Sequence, residues 1–303
     1  MGDVLVSGLI NLETTVRVDG FPIDYIPVRF PFFGVRSTVS GVGYNVSKAL
    51  TILGDRVRFV SIIGHDILGT MVRQALATDG IDDGFVVPGL DQTAQSAILY
   101  DPQGQRQINV DLKDIQDQVY PEPLFEQALA PCSLAVLCNI NFSRPFLSLA
   151  RRQNKLVATD VHTVSELDDP YNQDFMRAAH VLFMSDEALP CAPEMWVKRV
   201  LNRYGNEIIV VGLGAQGALL SVKRDGFLER IPAVHTREVV NTIGAGDALF
   251  STFVHFYKED RDPYAAIQRA VVMASYKIGE AGAADGLLGE RALCDLCDEL
   301  GVG

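Results

Sequence analysis

The stretch Asn241-Thr242-Ile243-Gly244-Ala245-Gly246-Asp247-Ala248-Leu249-Phe250 constrains this chain most. A β-branched run at 238–240 leads into Gly-Ala-Gly, and an amphipathic segment follows. Leu249, Phe253, Phe256 and Tyr257 recur at helical spacing, which predicts a helix over 245–258. Glycines at a helix start let the backbone approach a ligand, and the first N–H groups there lack partners inside the helix. With the helix dipole they form an anion site. Asp247 sits in that first turn. Beside a bound phosphate it would accept a proton from a hydroxyl attacking phosphorus. Without one, the same carboxylate only stabilises the helix N-terminus. These residues alone leave both roles open.

The longer string tips the balance. Asn-Thr-Ile-Gly-Ala-Gly-Asp resembles the Asp-Thr-x-Gly-Ala-Gly-Asp signature of the ribokinase (PfkB) family of sugar and nucleoside kinases. The resemblance implies Asp247 as catalytic base, Gly244, Ala245 and Gly246 as anion hole, and Thr242 on the nucleotide side. The family's first Asp helps shape a monovalent-cation region in some members. Here it is Asn241, so the resemblance leaves a monovalent cation requirement open.

Composition narrows the class. The 303 residues are 48% hydrophobic and 21% charged, which suits a soluble globular protein. A net charge of -12 argues against a nucleic-acid binder, yet a local anion hole still suits a small phosphorylated ligand. The longest apolar run, about 208–220, is broken by glycines and falls short of a membrane span. Residues 3–10 read directly as a strand with no basic segment before them, so no secretory signal is expected. Met1-Gly2 lacks the Ser or Thr at position six that myristoylation needs. Of five cysteines, Cys132, Cys138 and Cys191 lie in or beside apolar segments, which reads as reduced thiols in a cytoplasmic protein. Cys294 and Cys297 read as two thiols on one face of a C-terminal helix rather than as zinc ligands.

Taken in order, the strand at 3–10 is followed by Asn11 and Glu13, and open α/β sheets bind ligands at such carboxyl ends. The family pattern there is Asn-x-Asp, which implies that Asn11 and Glu13 hold sugar hydroxyls, with Glu one methylene longer. Residues 14–39 are β-branched and aromatic but interrupted by Pro22, Pro27 and Pro31, which suits short edge strands of a small projecting sheet. Residues 93–100 and 105–112 flank Asp101-Pro102-Gln103-Gly104, a type I turn pattern that predicts a hairpin. The resemblance implies that these pieces, about 12–39 and 93–112, form a lid over the sugar site and a surface for a homodimer.

Ser40-Gly41-Val42-Gly43-Tyr44-Asn45 leads into a helix whose apolar stripe is Val46, Ala49, Leu50 and Leu53, ended by Gly54. It is similar to the family's Gly-Gly-x-x-x-Asn, with Ser40 for the first Gly. Gly41, Gly43 and Asn45 are thereby implied in holding sugar hydroxyls, and Val42 in place of a Lys disfavours a phosphorylated acceptor. Residues 56–63 read as a strand. Gly64-His65-Asp66-Ile67-Leu68-Gly69 resembles a structural family motif and opens a helix reaching 78, with His65 as a surface turn residue.

Strands are predicted at 134–138, 156–160, 181–184, 207–211 and 218–222. By resemblance, Asn141 after the first of these contacts the sugar. Ser185-Asp186-Glu187-Ala188 stands where the family has Asn-x-x-Glu for magnesium and phosphate, so Ser185 is assigned to the nucleotide and the metal ligands are left open. Gly212-Leu213-Gly214-Ala215-Gln216-Gly217 matches a dinucleotide fingerprint, but a β-type run follows it rather than a helix. The glycines mark a strand-turn-strand, and the resemblance implies that Gly212, Gly214 and Gly217 lie against ATP. A second helix is predicted over 263–279, and 281–286 resembles the family's nucleotide-side wall.

These readings predict one ribokinase-like α/β domain over 1–303, with a mostly parallel central sheet, helices on both faces and a small β-sheet lid. The expected activity is ATP- and Mg2+-dependent phosphotransfer to a hydroxymethyl group of a small sugar. A nucleoside kinase of adenosine or pseudouridine type is the alternative, and a non-catalytic sugar or nucleotide sensor the further one.

Overall fold

The computed structural model describes residues 3–302, so the reading at Met1-Gly2 lies outside the described residues. In chain order the regular elements are β1 (Asp3–Ser7), β2 (Asn11–Arg17), β3 (Val35–Ser40), α1 (Val42–Ile52), β4 (Val57–Gly64), α2 (Ile67–Thr78), β5 (Val86–Leu90), β6 (Gln95–Tyr100) and β7 (Arg106–Asp111). Next come α3 (Glu122–Leu129), β8 (Cys132–Leu137), α4 (Phe146–Arg152), β9 (Leu156–Asp160), α5 (Gln173–Ala178), β10 (Val181–Ser185) and α6 (Pro193–Tyr204). The chain then forms β11 (Ile208–Gly212), β12 (Ala218–Val222), β13 (Phe227–Ile231), α7 (Ala245–Asp260), α8 (Pro263–Lys277) and α9 (Glu290–Leu300).

Nine strands make a sheet in the order β13-β12-β11-β10-β9-β8-β1-β4-β5, parallel except for the β11-β12-β13 meander at one edge. Successive residues of a strand point to opposite faces, so a buried parallel strand reads as a continuous apolar run. Val4 and Val6 of β1 accordingly enter one core and Leu5 the other; Ile208 and Val210 of β11 oppose Ile209 and Val211 in the same way. The first core is closed by α1, α2, α7, α8 and α9, the second by α3 to α6. This is the predicted α/β architecture.

Four strands form a separate small sheet in the order β3-β2-β6-β7. The β6-β7 hairpin closes as predicted: Gly104 N–H reaches Asp101 O at 3.1 Å, Gly104 takes a φ of 85°, and Asp101 Oδ1 caps two amides of the turn. The aromatic stretch at 18–34 forms no strand. Tyr25, Phe30, Phe32 and Phe33 of that stretch are exposed, because its prolines cannot donate ladder hydrogen bonds.

The strand predicted over 3–10 stops at Ser7. An added Cβ at Gly8 would lie 2.8 Å from Gly43 Cα, so the chain passes tightly under the start of α1 and crosses into the small sheet. Asn11 therefore opens β2 instead of trailing β1. The run at 238–240 is exposed coil, with only Val240 N–H tied back, to Ile278 O at 2.8 Å.

Candidate active site

Gly244 begins α7 in the left-handed region, with a φ of 79°. A Cβ there would meet Ala283 O at 2.0 Å, so only glycine lets the 282–285 loop pack against this turn. Ala245 N–H bonds Thr242 O at 3.2 Å. No acceptor among the described residues engages the N–H groups of Gly244, Gly246 or Asp247. Three free amides at the positive end of a sixteen-residue helix form an anion hollow.

Asp247 lies beneath it, partly enclosed, and Asn45 Nδ2 donates to its Oδ2 at 2.7 Å. Burial pushes the carboxyl pKa up to about 6, with the Asn45 hydrogen bond, His162 and Lys277 pulling down and Asp160 pushing up. Ser40 Oγ bridges the network, 3.2 Å from Glu13 Oε2 and 3.5 Å from Asn45 Oδ1. Its single proton goes to the nearer, charged Glu13 oxygen. Burial also raises the Glu13 pKa. Asn11 spends its amide N–H on Ser96 Oγ at 3.1 Å, while its buried Oδ1 has no donor. An unmet buried acceptor of this kind suits a hydroxyl.

Gly41 caps α1 with a φ of 106°, and a Cβ at Gly43 would clash with Gly8 C at 2.5 Å. These two glycines let α1 start hard against the β1-β2 crossing, which carries Asn45 to Asp247. Asn141 stands apart from this cluster. Its Nδ2 donates to Gln116 O at 3.0 Å and its Oδ1 accepts from Arg144 at 3.3 Å, so its side chain is committed elsewhere.

On the other flank, Ser185 pairs with Gly212 across β10 and β11, and Ser185 N–H donates to His162 O at 2.6 Å. Gly214 and Gly217 frame a 3-10 turn between β11 and β12, as the strand-turn-strand reading predicted. Thr242 is exposed beside the anion hollow, and Arg106 of β7 reaches its Oγ1 at 3.5 Å and Glu187 at 3.7 Å.

Strand pairing places Asn11, Glu13, Arg36, Ile98, Arg106, Ile108 and Val110 on one face of the small sheet. Ile98 on that face packs against Ile243 and Ala283, so the face looks onto the Asp247 turn. A cavity of about 390 Å³ lined by Tyr44, Lys48, Asp79 and Asp285 includes none of Asn11, Glu13, Asn45 or Asp247, so this polar cluster stands outside it.

Four residues here escaped the sequence reading. Asp160 ends β9 and His162 stands two residues beyond it, at a strand carboxyl end that itself carried a signal. Lys277 falls seven residues after Ala270 and four after Met273, on the apolar face of α8, where a lysine is out of pattern. Arg106 gave no local signal.

Among the described residues no three His, Cys, Asp or Glu side chains converge as a metal centre. A Mg2+ held by nucleotide phosphates and water asks for only one or two carboxylates, and buried Asp160 in the field of Asp247 fits that demand. A monovalent cation fits less well. Asn241 donates to Ala281 O at 2.7 Å and accepts from Ile243 N–H at 3.0 Å, and the Ile243 carbonyl is taken by Lys277 Nζ.

A carboxylate under free amides at a helix N-terminus, beside a row of polar groups suited to hydroxyls, is a layout that fits a phosphotransferase acting on an alcohol. The pfkB family carbohydrate kinase model matches residues 1–288. Among curated relatives, the ATP-dependent ribose-1-phosphate kinase of Halopiger xanaduensis is 26% identical over 284 residues, covering 92% of this chain and 93% of the relative. The 1-phosphofructokinase of Haloferax volcanii is 31% identical over 262 residues, covering 81% of each. The solved structure of the microbiome-derived acarbose kinase Mak1 superposes with a TM-score of 0.88 at 23% identity, over 98% of this chain and 99% of that one. The chain belongs to the PfkB family of carbohydrate kinases. It is an ATP-dependent kinase of the sugar and nucleoside class.

Proposed function

We propose that this enzyme transfers the γ-phosphoryl group of ATP to the hydroxymethyl group of a small free sugar. The observation that carries this reading is the row Glu13, Ser40, Asn45 and Asp247, in which Ser40 donates to Glu13 at 3.2 Å, Asn45 donates to Asp247 at 2.7 Å, and Ser40 Oγ lies 3.5 Å from Asn45 Oδ1. It joins the groups suited to sugar hydroxyls to the carboxylate beneath the anion hollow.

In this reading Asn11 Oδ1, Glu13, Asn45 and the backbone at Gly41 and Gly43 hold the sugar. Asp247 takes the proton of the attacking hydroxyl. The turn at 244–246 and the Asp247 amide neutralise charge on the transferring phosphoryl group, a kind of contribution worth roughly 10²–10³ in rate per donor. Ser185, Thr242, Gly212, Gly214 and Gly217 border the nucleotide. Mg2+ supplies charge neutralisation on the phosphates when bound, and Asp160 is the side chain placed to meet it or its water. The small sheet acts as the lid, excluding water that would compete as acceptor. Asn141 serves by holding the β8 connection to Gln116 and Arg144 rather than by touching the sugar.

Two named relatives are phosphosugar kinases. In this chain Arg36, a cation on the cleft face of the lid, is paired with Asp285 at 2.8 Å, and Val42 opens α1 where a lysine would serve a phosphate. Both features favour an unphosphorylated acceptor. A nucleoside is the second reading, because Ile108 and Val110 present exposed apolar side chains on the cleft face, a surface suited to a base.

The test is ADP release with Mg-ATP across free sugars, sugar phosphates and nucleosides, run beside Asp247→Ala. A free sugar giving the highest kcat/KM, with turnover reduced by several orders of magnitude in the variant, supports the reading. Turnover confined to sugar phosphates or nucleosides reassigns the acceptor, and unchanged turnover in Asp247→Ala removes the catalytic role.

A further inference from the structure

Lys277, at the last position of α8, is 0% exposed, and its Nζ donates to the carbonyl of Ile243. Burying an ammonium without a directly paired carboxylate is costly, so the surrounding structure must use the charge. Burial pulls its pKa down to about 8, and the fields of Asp247, Asp285, Glu13 and Glu280 act against that pull.

The position of the contact gives the charge a task. The Ile243 carbonyl and the Gly244 N–H belong to one planar trans peptide and point in opposite directions. Drawing the carbonyl toward Lys277 turns the Gly244 N–H toward the opposite side. Ile243 O is also the acceptor four residues before Asp247 N–H, the one a continuous helix would use. With Lys277 holding that oxygen, the Asp247 amide stays free. One ammonium thus sets two of the three free amides of the hollow and adds positive charge behind them.

We infer that Lys277 is a built-in cation that positions the 243–247 turn and renders phosphotransfer independent of any added monovalent ion. It is a positioning residue, acting through the turn and through Asp247. The disposition of Asn241 agrees, since its Oδ1 already accepts from Ile243 N–H and the Ala281 carbonyl beside it already accepts from its Nδ2.

The inference rests on the kinase reading and is tested so that the two fail separately. Full-length wild type and Lys277→Met are assayed in choline, potassium and ammonium chloride at equal ionic strength. Binding of a non-hydrolysable ATP analogue is followed by calorimetry, and fold is checked by thermal melting. Wild-type kcat is expected to agree within about twofold across the three salts. Lys277→Met should lose about 100-fold in kcat, the scale of losing oriented amides, with the acceptor KM within about threefold. Ammonium should restore part of that loss. The acid limb of kcat should also move upward, because the Lys277 charge lowers the Asp247 pKa while Asn45 and His162 act with it and Asp160 against it. A merely structural lysine would leave that limb in place.

A wild-type enzyme that loses more than about tenfold in choline overturns the inference without any variant. So does a folded Lys277→Met with wild-type kcat and acid limb. If no acceptor is phosphorylated, the kinase reading fails, and Lys277 is judged by analogue binding alone: about tenfold weakening in the variant upholds it, and equal binding overturns it.

Discussion

Asn45 and Asp247, 202 positions apart in sequence, meet in a 2.7 Å hydrogen bond between the amide nitrogen of one and the carboxylate of the other. The contact links the first turn of α1 to the first turn of α7, which in the proposed reading are the acceptor side and the phosphate side of the cleft. Removing it in Asn45→Ala leaves Asp247 without the bond that lowers its pKa. We expect kcat to fall by about 10- to 100-fold and the acid limb of the pH–rate profile to rise, measured by steady-state kinetics between pH 5 and 8. An unchanged limb would show that the bond does not tune the carboxylate.

The raised Asp247 pKa has a signed consequence for wild type. Catalysis needs the carboxylate form, so kcat should climb as pH rises through about 6 and level off above it. Stability runs the other way. A carboxyl whose folded pKa exceeds its unfolded value contributes most below the unfolded value, and the contribution is lost as pH rises through the folded one. Asp247→Asn should therefore raise Tm at pH 8, by an amount equivalent to about 1–2 kcal/mol after discounting for its partial exposure, and have little effect near pH 4. Melting curves at the two pH values check this, and an equal shift at both would contradict it.

Arg106 crosses from the small sheet to Thr242 and Glu187, which border the nucleotide in the proposed reading. Its side chain is about one-third exposed, so its ion pair adds little to stability. Arg106→Ala should leave Tm within about 1 °C while raising the KM for ATP about tenfold, because a guanidinium facing phosphates matters only when they are present. A loss of Tm with unchanged KM would assign the residue to folding instead.

Two glycines separate packing from backbone strain. Gly217 has a φ of 95°, and an added Cβ would lie 2.1 Å from Ile231 O; Gly226 has a φ of 71° with open space around it. Gly226→Ala should cost only about 1 kcal/mol of backbone strain, and Gly217→Ala at least 2–3 kcal/mol, because backbone must move as well. Denaturant unfolding of both variants measures the difference.

The exposed aromatic stretch at 18–34 is out of keeping with a surface of net charge -12. We expect it to be covered by a second copy of the chain joined through the small sheet. Light scattering should give twice the chain mass of 33.1 kDa, falling to one chain mass in Phe30→Ser/Phe32→Ser. A monomeric wild type would refute this assembly.

Much of the fold could be read directly from residues. β9 and β12 begin and end where their patterns place them, because buried strands announce themselves as apolar runs, and the C-terminal helix expected around Cys294 and Cys297 is α9. Errors fall where tertiary contact overrides local preference. β1 ends early at the Gly8–Gly43 approach, and the residues at 18–34, read as short edge strands, form none. In the site, Asp247 and Asn45 were visible because glycines mark both helix starts. Lys277 and Arg106 were not, since one is reached through a helix end and the other through a lid, and neither neighbourhood exists in linear sequence. Asn141 was placed by analogy with a strand end, but the local hydrogen-bonding demand of Gln116 and Arg144 took its amide.

Ser40 is the last residue of β3 and stands one residue before the cap of α1, with its hydroxyl between Glu13 on the lid and Asn45 on the helix. Because Ser40 bonds Glu13 and the chain passes from it through Gly41 into α1, a shift of the small sheet would reach the helix start that carries Asn45. On the proposed reading, we expect such an enzyme to leave ATP largely unspent until the small sheet meets a bound alcohol.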